Sequence, residues 1–82
     1  MEETERQAKI KQIAQLRRRG EKAYDDMYEA HGFRDSDDRY REAKDCFYDA
    51  IRVAGELELK DEVDSLVNRL QHIKEVFRGQ FS

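Results

Sequence analysis

The chain has no proline and no tryptophan, a single cysteine, and few glycines for its 82 residues. Each shortage excludes something. Proline costs a helix interior about 3 kcal/mol, so a chain without it meets no such break in a long helix. One cysteine, Cys46, cannot close an internal disulfide, which fits a reducing compartment. No apolar stretch approaches the roughly 20 residues that a membrane span requires. The opening residues Met1-Glu2-Glu3-Thr4-Glu5-Arg6 are polar and acidic, unlike a signal peptide, so a cytoplasmic setting is expected. Metal-ligand spacings are also missing. His31, Cys46 and His72 stand apart, without the paired spacing of a zinc site. Gly-rich phosphate loops, nucleophile elbows and dinucleotide fingerprints do not occur. Asp25-Asp26 and Asp37-Asp38 lack the spacing of a calcium loop and read as solvated faces or helix caps. No cofactor and no catalytic residue is expected.

What is present is charge and helical periodicity. Charged residues make up 43% of the chain, a level at which disorder would be expected if apolar residues were scattered. They are not scattered. Ile10, Ile13, Leu16, Gly20, Ala23, Tyr24, Met27 and Tyr28 recur mostly at steps of three and four, one stripe on a helix. Thr4 and Gln7 have capping-box spacing and predict the start of this helix. Gly20 costs a helix interior up to about 1 kcal/mol, so a neighbouring helix passing close is its expected reason. The end is expected near His31, with Gly32 as its cap. Phe33-Arg34-Asp35-Ser36-Asp37-Asp38 reads as the loop, with Asp35, Ser36 or Asp37 capping the next helix.

The second stripe is the cleanest: Tyr40, Ala43, Phe47, Ala50, Ala54 and Leu57, widened by Ile51, with Gly55 as the expected stop. The third is Leu59, Val63, Leu66, Leu70, Ile73 and Phe77, flanked by Val67 and Val76. The spacing predicts helices over 4–31, 37–54 and 59–78 in one domain. Short connections between them predict an all-α, antiparallel three-helix bundle, up-down-up, with the first helix overhanging the second. A core this small is marginal, which favours self-association or close helix packing.

Tyr40-x2-Ala43-x3-Phe47-x2-Ala50 resembles the second helix of a tetratricopeptide repeat. Leu16, Gly20, Ala23 and Tyr24 resemble the glycine region of that repeat's first helix. The resemblance covers residues 16–55. The spacing from Gly20 to Ala43 exceeds that of the repeat, so the first helix or the turn is lengthened. The resemblance implies a helical hairpin that binds a protein or peptide, with the third helix as the following helix or a cap.

Charge is uneven along the chain: net +3 over residues 1–22, −5 over 23–50 and −1 over 51–82. Arg17, Arg18, Arg19 and Lys22 form the densest basic segment. Three consecutive residues fan around a helix, so they make no single flat patch. Pairing with the acidic second helix, assembly between copies, and polyanion binding are the three uses such a segment allows. The chain is acidic overall, which disfavours nucleic acid as the main partner. Cys46 beside Phe47 reads as a small core residue, its thiol discouraged from ionising by Asp45 and Asp49. Tyr28, Phe33, Tyr48 and Phe81 are the candidate apolar contacts. The expected function is a non-catalytic protein-binding or assembly module, self-associating, with a nucleic-acid-associated regulator as the alternative.

Overall fold

The computed structural model describes residues 2–29 and 32–81, with side chains for all of these except positions 2, 3, 33, 80 and 81. Helix α1 runs Glu2–Glu29, α2 runs Phe33–Glu56 and α3 runs Lys60–Phe81. They form an antiparallel three-helix bundle, 47 × 18 × 13 Å, in which α1 and α3 both pack on α2.

The three stripes meet in one core. Ile13, Leu16, Ala23, Tyr24 and Met27 come from α1, Ala43, Phe47, Ala50, Val53 and Ala54 from α2, and Leu66, Leu70 and Ile73 from α3. Small residues on α2 let its neighbours approach closely. Gly20 makes a tight approach to α2: a Cβ there would stand 2.6 Å from Phe47 Cε2. The glycine is therefore needed because the Phe47 ring occupies the space of a side chain. On the other side of α2, Tyr40 stacks on Phe77 with centroids 3.9 Å apart.

Helix ends differ from the sequence-based expectation. Thr4 is not a cap but the third residue of α1, and it is exposed. Helix α2 begins at Phe33, not Asp37, so the segment read as a loop is its first turn and a half. Gly32 precedes it at φ 101°, ψ 163°, a conformation other residues rarely adopt. The Ser36 hydroxyl and amide both donate to the Gly32 carbonyl. Asp35 in the first turn suits the positive helix end. The expected end of α1 at His31 lies outside the described residues.

Gly55 does not stop α2. The chain turns at Glu58, which takes the left-handed conformation at φ 58°. The Leu59 amide reaches back to the Ala54 carbonyl, and the Glu58 amide to that of Gly55, both at 3.0 Å. This is the Schellman pattern, which satisfies two carbonyls left over at the helix end. Leu59 then packs against the core.

Candidate functional site

Helices α1 and α3 run parallel, both against α2, and side chains bridge the seam between them. Arg17 on α1 donates through Nη1 to Glu62 Oε1 and through Nη2 to Ser65 Oγ, each at 3.2 Å. One turn along each helix the direction reverses: Arg69 on α3 donates to both carboxylate oxygens of Glu21. The Arg69 guanidinium also lies over the Tyr24 ring, 5.1 Å from its centroid. Tyr24 and Tyr28 share a hydroxyl–hydroxyl hydrogen bond at 2.9 Å. Burial, followed by that bond, pushes the Tyr24 phenol up to about 12. The bond to Glu21 likewise raises Arg69.

Below these bridges the seam opens. Ile10, Ile13, Ala14 and Leu59 floor a groove of about 340 Å³, with Arg17 and Glu62 at its rim. Its floor is apolar, and Ile10 stays 44% exposed although it belongs to the core stripe by spacing. The cause is length. Helix α1 has 28 residues against 24 in α2, and Lys9 faces Glu56 at the last residue of α2. The first seven residues of α1, about 10 Å of helix, therefore run past the end of α2. Thr4 to Ala8 are exposed throughout.

The residues singled out by sequence do not share one surface. Arg17 and Tyr28 face the α1–α3 seam. Arg17 pairs with α3, not with the acidic second helix. Arg18 is exposed, and no ion pair holds it among the described residues. Arg19 and Lys22 lie on the α1–α2 side, in a hollow of about 220 Å³ shared with Asp26, Arg39 and Glu42. There Lys22 pairs with Asp26 within α1, and Arg39 with Glu42 within α2. Tyr48 lies on the α2–α3 side, where Lys74 sits over its ring and donates to its hydroxyl. The side chains of Phe33 and Phe81 lie outside the described residues. Cys46 is buried; burial, with help from Glu42, Asp49 and Asp45 and against Arg19, raises its thiol.

A third hollow, about 600 Å³ and wide open, lies at the α2–α3 turn between Gly55, Glu58, Leu59 and Lys60. No three His, Cys, Asp or Glu side chains converge as metal ligands would among the described residues. No helix there is long and apolar enough to cross a membrane. Sequence reasoning missed Ile10, Ala14, Leu59 and Glu62 as surface. The available signal was the excess length of the first helix, which takes its apolar stripe beyond the cover of the second. No family model, curated protein or solved structure matches this chain.

Proposed function

We propose that the protein is a non-catalytic interaction and assembly module that associates with itself. The observation carrying this reading is the groove at the open end of the α1–α3 seam. Its floor is hydrocarbon, its polar rim is a paired arginine and glutamate, and a length of α1 continues beyond it uncovered. Apolar grooves of helical spacing suit another helix, because burying the floor contributes roughly 25 cal/mol per Å². The likeness of the α1–α2 hairpin to a tetratricopeptide repeat, with Gly20 pressed against Phe47, supports the same class of role. A cytoplasmic location accords with the one cysteine being unpaired and buried.

Polyanion binding through the basic segment is less well supported. Arg17 is engaged with Glu62, and Arg19 and Lys22 face a different side from it. Solution mass by light scattering, across concentration and at low and high salt, tests the main reading. Mass should rise with concentration; a monomer at every concentration would remove self-association.

A further inference from the structure

We infer that the occupant of the α1–α3 groove is the N-terminal part of α1 from a second copy, laid antiparallel across a two-fold axis near Ile10 and Lys11. The inference rests on the self-association reading above and gives it a surface and a register.

Three observations lead to it. The first is a stripe along the outer edge of α1. Positions 3, 7, 10, 14 and 18 are spaced by four, three, four and four, so they follow one side of the helix. Gln7, Ile10, Ala14 and Arg18 are all exposed, and Ile10 and Ala14 line the groove. The second is symmetry of charge about the apolar centre. Position 3 is a glutamate and position 18 an arginine, equally far along the helix from the midpoint between Ile10 and Lys11. A two-fold axis at that midpoint sets position 3 of each copy opposite Arg18 of the other. A closed two-fold interface must be self-complementary in this way, each patch meeting its own mirror in sequence. Arg18 has no ion pair within its own chain among the described residues, so it is available.

The third observation is shape. The same axis sets Gln7 opposite Ala14, and a small residue there lets two helices approach. The overhang, with no helix of its own chain beside it, becomes a neighbour to the second copy's groove. Ile10 lies half a residue from the axis in each copy, so the two isoleucines flank it, each level with Lys11 of the other copy. A second copy laid this way fills the groove and covers the overhang at once.

The test is sedimentation or light scattering on the full chain and four variants, with circular dichroism showing that each stays helical. The wild type should be a dimer at high concentration. Ile10→Glu should weaken dimerisation by about tenfold or more, because it places a carboxylate at the centre of the interface. Arg18→Glu should weaken it several-fold, and Glu3→Arg combined with Arg18→Glu should recover it. Val67→Glu, a substitution at an equally exposed apolar residue on α3, should leave it unchanged. Association that survives Ile10→Glu, or that falls only with Val67→Glu, overturns this interface and leaves self-association standing. Failure of the exchanged pair to recover overturns the antiparallel register. A monomeric wild type overturns both readings.

Discussion

Arg69 of α3 donates to both carboxylate oxygens of Glu21 on α1, each bond 2.7 Å long. The two helices lie on α2 as parallel rods, and this fork ties them together. Both side chains are about one-third exposed, so solvent screens the pair. A double-mutant cycle with Glu21→Gln and Arg69→Met should give a coupling of about 0.5–1 kcal/mol, smaller in high salt. Arg69→Lys should not preserve it, because an ammonium cannot match two oxygens in one plane. No measurable coupling in urea unfolding would show that the link is solvated out.

Gly20→Ala should destabilise the bundle. Alanine gains up to about 1 kcal/mol of helix propensity, but its methyl would meet the Phe47 ring at 2.6 Å. Phe47 is fully buried and packed on all sides. Overpacking of this kind costs about 1–3 kcal/mol, so a net loss of about 1–2 kcal/mol is expected. Phe47→Leu should lessen the cost of the Gly20→Ala change, though not the cost of its own cavity. Chemical denaturation of the two single variants and the double variant measures the coupling.

Glu58→Gly should stabilise. Glu58 holds the left-handed position that ends α2, where its Cβ crowds the backbone by about 1–2 kcal/mol. Glycine removes that strain but leaves the unfolded chain freer, which takes back part of the gain. A rise of about 0.5–1 kcal/mol, read from thermal melting, is the expected result. An unchanged or lower melting temperature would mean that the Glu58 side chain stabilises the turn.

Alkaline stability should carry a tyrosine signature. The Tyr24 phenol moves from 10.0 to about 12 on folding, so the folded state holds its proton more tightly than the unfolded state. The associated stability is fully present below pH 10 and is lost as the pH rises towards 12. Its size is at most about 2 kcal/mol, since Tyr28, the hydroxyl's partner, is about half exposed and admits screening solvent. Cys46, also raised, contributes a loss of the same sign above pH 9, so a Cys46→Ala background separates the two. In that background Tyr24→Phe should flatten the decline between pH 10 and 12. An equally steep decline would place its cause elsewhere.

The interior was legible because helical spacing states it directly. Phe47, Ala50, Leu66 and Ile73 are buried where their stripes require. Gly20 was readable as a close approach because nothing else accounts for a glycine in mid-helix. The start of α2 was hidden because Asp35, Ser36 and Asp37 serve equally as caps or as first-turn residues, and the choice fell to Gly32 with its positive φ. The partner of Arg17 was hidden for another reason. Composition pointed to the acidic second helix, but register set Glu62 of α3 within reach. Tyr24 and Tyr28 share the same stripe, yet only Tyr24 is buried, because Tyr28 lies towards the outer edge of the seam. The open groove needed the three helix lengths together, which no single stripe contains.

Helix α2 alone lies firmly against both of the others, and α1 packs along it more extensively than α3 does. Dismantling should therefore proceed unevenly. Amides of α3 should exchange with deuterium before those of the α1–α2 hairpin, because peeling away the last helix disturbs fewer neighbours. A fragment cut at Glu58 would bare the side of α2 that Leu66, Leu70 and Ile73 now cover. Such a fragment would be sticky and prone to clumping, which makes the third helix the lid that keeps the hairpin dispersed.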